Sequence, residues 1–337
     1  MPSPLPQGLK ICRAYADYAR ALLAEHTGKG PTVKSRPEIP LIVKGEIATV
    51  VGRVLEAWSN QVRVSYSIDQ VLELLAETSR SNKDELLRET FKGPSAEASG
   101  RTQLHDIPCI FVDRLGHIVT TYLPGCFSRG RSGHGPLNSI PQVSSSLCET
   151  RVNQGGEDLL TQLTEINGLI GAVLAIIHPD LFDYQFKIME ALSSGQVEVS
   201  NLQLMQELFQ YWSTPFNGVA VIANRETALH RDTKGGRALL DIVTTFGNYE
   251  NGRFEIPLLS SRFIYNPGTC IALPGFLFEH GASRTDGERV CLASFIRPNV
   301  GEAAFKVYDE PPLPTLRTMY HYHGLETPEV IEGTIWD

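Results

Sequence analysis

The 337-residue chain is poor in cysteine: it has six, and no two of them stand in a C-x-x-C spacing. Cys12, Cys109, Cys126, Cys148, Cys270 and Cys291 sit mostly in apolar surroundings, which excludes a zinc ribbon or a disulfide scaffold and predicts reduced thiols of a cytosolic or nuclear protein. Long apolar runs are also missing. None approaches the roughly 18 residues that a membrane span needs, and the start, Met1-Pro2-Ser3-Pro4-Leu5-Pro6, has neither the charged nor the apolar region of a secretory signal. The expectation is a soluble protein with no membrane partner. Positive charge is in deficit as well, since 30 Lys and Arg against 38 Asp and Glu give a net charge of −8. A polyanion would be repelled by such a chain as a whole. It could bind only at a local basic patch, because phosphates feel the field within about 8–10 Å at physiological salt.

What is present suffices for a core. With 42% hydrophobic residues the chain is not disordered, and its length is read as one domain, mainly helical over 1–100, catalytic over 101–308, with a tail at 309–337. A first helix is predicted over 9–25, and short strands, or a strand and a helix start, at 40–43 and 47–51. Ser67-x-x-Gln70 reads as a capping box opening a second helix, and the charged stretch 82–91 as a solvated helical face. A flexible connector at 93–100 precedes a hairpin over 107–123. Apolar stripes predict helices from 157 onward, at 181–192 and at 202–212. Further strands are expected at 238–246, 253–258 and 261–265, with Gly247-Asn248 and Asn251-Gly252 as turns.

The chemistry-bearing residues cluster late. The apolar run 218–223 (GVAVIA) reads as a buried strand whose end would carry His230 and Asp232. Positions i and i+2 of an extended segment project to one side, so both can hold one cation. His280, after the strand-like 269–273 and a Pro274-Gly275 turn, is the candidate third ligand; two imidazoles and one carboxylate leave open positions on ferrous iron. The strand 288–297 (ERVCLASFIR) has unlike faces. Val290, Leu292 and Ile296 make one, while Arg289, Cys291, Ala293, Phe295 and Arg297 share the other, suited to a short dicarboxylate beside a planar substrate. Two basic segments complete the set: Arg129 and Arg131 in the glycine-rich loop 128–138, which ends at Asn138, and Lys234 and Arg237 just after Asp232.

The stretch 224–297 resembles the TET/JBP family of iron and 2-oxoglutarate dioxygenases, particularly its fungal members. The resemblance rests on His230-Arg231-Asp232, Tyr265-Asn266-Pro267-Gly268-Thr269, His280-Gly281 and the run from Asp286 to Leu292. It implies an α+β fold, a double-stranded β-helix (distorted jelly roll) core backed by α-helices, with iron(II), 2-oxoglutarate and O2 as cofactors. His230, Asp232 and His280 would then be the metal ligands, and Arg289 with Cys291 would hold 2-oxoglutarate. By the same resemblance Arg225 and Arg297 would hold a flipped base, with Phe295 on the same strand face and Asn138 as a further candidate; the basic segments themselves, through Arg129 and Arg131 or Lys234 and Arg237, are the candidates for touching the DNA backbone. The implied activity is oxidation of 5-methylcytosine in DNA to hydroxymethyl, formyl and carboxyl forms in the nucleus, with no obligate protein partner. N6-methyladenine is the runner-up substrate; an oxygenase for a small metabolite or a protein side chain, and a metal-holding module without turnover, are the readings from other classes.

Overall fold

In the computed structural model, which describes residues 4–28, 38–77, 82–91, 102–127, 156–199, 201–305 and 309–324, the segment expected to hold two short strands, or a strand and a helix start, is one helix. This helix, α2 (Leu41–Ser59), follows α1 (Gln7–His26). It buries Val43, Ile47, Val50, Val51, Val54, Ala57 and Trp58, a spacing of three and four. The β-branched residues that suggest strands therefore lie on one helical stripe, and burial of that stripe outweighs their weak β preference. Next come β1 (Gln61–Arg63), α3 (Ile68–Glu77) and α4 (Lys83–Thr90). The capping box is formed: Gln70 N donates to Ser67 Oγ (3.3 Å) and Ser67 N to Gln70 Oε1 (2.9 Å).

After β2 (Gln103–His105), the strands β3 (Cys109–Val112) and β4 (Ile118–Leu123) form the expected hairpin. Its turn is organised by Asp113, whose carboxylate accepts from the amides of Ile68, Leu115 and His117 and from His117 Nδ1. The connector at 93–100 lies outside the described residues, as do Arg129, Arg131 and Asn138 of the basic loop.

The helices α5 (Gly156–Ile177), α6 (Pro179–Ser194) and the short α7 (Leu202–Leu208) follow. By length and composition α5 could cross a membrane, contrary to the reading of apolar runs above, yet 67% of its apolar window is buried inside the protein. It packs along α1, and the approach is close enough that a Cβ on Gly168 would lie 2.7 Å from the Tyr15 ring.

Eight strands then wind back and forth between two sheets: β5 (Gly218–Ala223), β6 (Thr227–His230), β7 (Asp241–Glu250), β8 (Arg253–Ile256), β9 (Ser261–Ile264), β10 (Cys270–Leu273), β11 (His280–Ala282) and β12 (Asp286–Phe295). The larger sheet has the order β1-β3-β4-β10-β7-β12-β5 and the smaller β2-β9-β8-β11-β6. Within β5 to β12 the chain changes sheet at every connection except β8 to β9, which is the path of a double-stranded β-helix. Gly247 and Asn248, expected at a turn, lie inside β7 opposite β12. There Gly247 has φ +120°, and a Cβ would meet Glu288 O at 2.1 Å, so the glycine serves a local distortion of a paired strand.

The chain closes with α8 (Pro298–Phe305) and α9 (Leu316–Tyr322). The first part of the tail packs against the domain. Ile118 N donates to Pro314 O, Tyr320 packs edge-on against Trp58, and Glu310 accepts from the amide of Ala238. The jelly roll and the helices behind it share a continuous apolar core that runs from Leu9 to Tyr320.

Candidate metal centre and binding pocket

The pair His230 and Asp232 is not held by the end of β5. Asn224, with φ +49°, breaks the extended run, and the chain crosses to the smaller sheet before His230 closes β6. There β6 pairs antiparallel with β11, and His230 stands directly opposite His280. The register alone sets the two imidazoles side by side, with ring centroids 4.5 Å apart. Each ring directs Nδ1 at a carbonyl two residues upstream: His230 at Ala228 O and His280 at Phe278 O, both at 2.9 Å. That contact fixes the ring and turns Nε2 inward as the free lone pair. Asp232, just beyond β6, lies between the rings, with Oδ1 3.9 Å from His230 Nε2 and Oδ2 3.7 Å from His280 Nε2.

One ligand atom from each of the three residues lies within 4.8 Å of the others. Two imidazole nitrogens and one carboxylate on the same side of a cation fit ferrous iron with open positions opposite. His280 is buried, and burial lowers its pKa, which favours the neutral ring that a metal needs. The loop behind is anchored twice. Asp232 N donates to Gly275 O (2.9 Å), and Arg231 pairs with Asp84 of α4. The charged helix is therefore not merely a solvated face, since Asp84 holds the arginine between the two ligands.

The cavity above this centre measures about 230 Å³. All five residues read onto one face of the strand 288–297 line it, Arg289, Cys291, Ala293 and Phe295 from β12 and Arg297 from just beyond its end. The alternation of the strand is enough to find them. Arg289 is 2% exposed, and its guanidinium donates to Ser283 O (2.9 Å) and Arg225 O (2.6 Å). No carboxylate among the described residues pairs with it. A buried cation without an anion is costly, and a carboxylate group of 2-oxoglutarate would supply one. Tyr265 borders the same place: its hydroxyl lies 3.3 Å from Cys291 Sγ, and its ring centre 6.0 Å from the Arg289 guanidinium carbon. Burial pushes the Cys291 thiol up, so it remains a neutral lining group.

Arg225, Phe295 and Arg297 line the same cavity. The Arg297 guanidinium carbon lies 4.5 Å from the centre of the Phe295 ring. The ring leans over Gly218 of the neighbouring strand, where a Cβ would come within 2.1 Å of it. Lys234 and Arg237 are exposed on the loop that follows Asp232.

Among the pocket residues that sequence reasoning misses is Asp241, the first residue of β7 and 7% exposed. Burial pushes its carboxyl well above the usual range and the charge of Asp232 adds to this, while Arg297 and the backbone amides of Gly275 and Ile296 act against them. Gly275 is required here. A Cβ on it would lie 2.5 Å from Asp241 Oδ2, 2.7 Å from Asp232 Oδ2 and 3.3 Å from His280 Cε1. No pattern in the run Leu239-Leu240-Asp241-Ile242-Val243 marks that aspartate as more than a strand start.

Residues 142–298 match the TET/JBP family model, described as the oxygenase domain of the 2OGFeDO superfamily. Over that segment, just under half of the chain, the sequence is similar to the TET/JBP oxygenase family. The chain's cofactors are accordingly iron(II), 2-oxoglutarate and O2, and the His-Asp-His cluster and the buried Arg289, which no carboxylate among the described residues pairs, suit the metal and the dicarboxylate. Among solved structures the chain is similar to NgTET1 in complex with 5mC DNA, at 14% identity and a TM-score of 0.42, covering 77% of this chain and 99% of that one. No curated protein matches the sequence.

Proposed function

We propose that this dioxygenase oxidises the methyl group of a modified base in DNA, with 5-methylcytosine as its substrate and the hydroxymethyl base as first product, open to further oxidation to formyl and carboxyl forms. The observation that carries the reading is the His230–Asp232–His280 cluster with a buried arginine that no carboxylate among the described residues pairs, in the same small cavity. When bound, iron and 2-oxoglutarate supply an oxidant that takes hydrogen from an unactivated methyl, O2 being consumed as 2-oxoglutarate is decarboxylated to succinate.

The chain's own residues bind and orient. His230, Asp232 and His280 would hold the metal from one side, their Nδ1 contacts keeping both rings in the ligating tautomer. Arg289 would hold the distal carboxylate of 2-oxoglutarate, with Cys291 and Tyr265 beside it. Arg225, Phe295 and Arg297 would hold the target base, which must leave the duplex stack to bring its methyl into a cavity of this size. The pair of Arg297 and Phe295 brings a planar cation and an aromatic to the cavity, the kinds of group on which a nucleobase stacks. Lys234 and Arg237, with Arg129 and Arg131 of the glycine-rich loop, are proposed to meet the strand carrying that base, and Asn138 of the same loop is a further candidate for reading the base edge.

The net charge of −8 favours a second reading, an oxygenase for a small metabolite or a protein side chain. One assay separates them. The protein is incubated with iron(II), 2-oxoglutarate and oligonucleotides carrying 5-methylcytosine or N6-methyladenine, then digested to nucleosides for mass spectrometry. Oxidised nucleosides formed in step with succinate are expected. Succinate release that never responds to any methylated oligonucleotide would sink the DNA reading and leave the second.

A further inference from the structure

We infer that Asp241 is a specificity residue, its carboxyl oxygen accepting a hydrogen bond from the exocyclic amine of the target base. The inference rests on the proposed reading of the substrate as 5-methylcytosine in DNA. In that base the methyl and the amine sit on neighbouring ring carbons. Any group that reads the amine while the methyl faces the metal must therefore stand immediately beside the metal ligands.

Asp241 occupies that place. Its Oδ2, Oδ2 of Asp232 and Cε1 of His280 crowd round one point above Gly275, at 2.5, 2.7 and 3.3 Å from a Cβ built there. The residue lines the cavity that holds the metal cluster and Arg289, yet it is not one of the three clustered ligands. Arg225 and Arg297 are donors only, and among the described lining residues outside the cluster Asp241 alone brings a carboxylate. A carboxyl oxygen is the natural acceptor for a cytosine amine. The amides of Gly275 and Ile296 reach the same carboxyl. Two such contacts leave lone pairs of the carboxyl free.

A substrate–enzyme cycle tests this. Wild-type protein and Asp241→Ala are given duplex oligonucleotides with 5-methylcytosine or with 5-methyl-2-pyrimidinone, which keeps the methyl and lacks the amine; oxidised nucleoside and succinate are both measured. Wild type should lose about tenfold in kcat/KM on the amine-free base, in the range of one base-edge contact. Asp241→Ala should treat the two bases alike to within about twofold, and Asp241→Asn, which keeps an accepting oxygen, should retain part of the preference. Equal rates of wild type on both bases would overturn the proposal, whatever the folding of the variants. So would an Ala variant that is slower overall with the preference intact, because a purely structural tie to Gly275 and Ile296 lowers both rates together. Wild type that releases succinate yet oxidises neither base is a different failure, since it removes the DNA reading beneath the proposal.

Discussion

At its inner end the pocket is fixed by main chain: carbonyls of Ala228 and Phe278 set the two imidazoles, and carbonyls of Ser283 and Arg225 set the Arg289 guanidinium. At its mouth the groups that would meet DNA, Arg225, Lys234 and Arg237, are exposed side chains on connecting segments. The inner end is thus positioned before anything binds, while the mouth must lose side-chain freedom as a partner arrives. Substitutions at the two ends should therefore differ in kind. Inner ones should switch chemistry off, and outer ones should tune which substrate is held and how tightly.

The largest effect is expected from removing one metal ligand. His230→Ala, Asp232→Ala and His280→Ala should each cost more than the 10–100-fold typical of losing an outer-shell partner, with succinate release at background. Circular dichroism should report an unchanged fold for the two half-exposed residues; His280 is 6% exposed and packs against Phe254, so a drop in melting temperature is expected there as well. Near wild-type succinate production by any well-folded member of the three would show that the ligand set is misassigned.

Next in size is Arg289→Lys. The lysine keeps the charge and loses the planar fork, so one charge-assisted hydrogen bond disappears, worth about 1.5–3 kcal/mol. The KM for 2-oxoglutarate should rise about tenfold to a hundredfold, with kcat at saturation much less affected. An unchanged KM would place the cosubstrate elsewhere and remove Arg289 from the inner end of the comparison.

How much of this contrast can be read from the sequence depends on how local each signal is. The alternation over 289–297 depends only on the pleat, and it names every β12 residue that faces the cavity. The H-x-D spacing and the distal histidine are likewise local, and strand register does the rest by placing His230 opposite His280. Asp241 is not legible because its meaning comes from Gly275 and Asp232 on other strands and loops. Asp84 reads as solvated for the same reason, its partner Arg231 being remote in sequence. The helix at Leu41–Ser59 is misjudged on residue type, although its buried positions follow a helical period.

Phe295→Ala probes the boundary between the two ends. Base stacking on an aromatic is worth about 1–3 kcal/mol, so oxidation of methylated DNA should fall at least several-fold. Iron and 2-oxoglutarate binding should survive, because Phe295 is neither in the ligand cluster nor hydrogen-bonded to the Arg289 guanidinium. The ring also supports Arg297 and covers Gly218, so the same variant should loosen the Arg297 side chain. Comparing substrate-free succinate release with nucleoside oxidation decides the matter: equal loss of both would make Phe295 a packing residue of the cofactor end.

The smallest expected effect lies at the mouth, where Lys234→Ala and Arg237→Ala remove exposed cations beside the metal loop. If each meets a phosphate, the double variant should bind DNA more weakly by a similar factor whatever the sequence, because a phosphate contact carries no base information. Its logarithmic salt dependence should be shallower by about one for each phosphate that is no longer neutralised. Succinate production without DNA should not change, since neither residue lines the cavity that holds the cluster and Arg289. Binding isotherms at several salt concentrations, on methylated and unmethylated duplexes, give the slope directly. A slope identical to wild type would mean that the acidic chain meets DNA through some other surface or not at all, and the mouth of the pocket would then have no claim to the backbone.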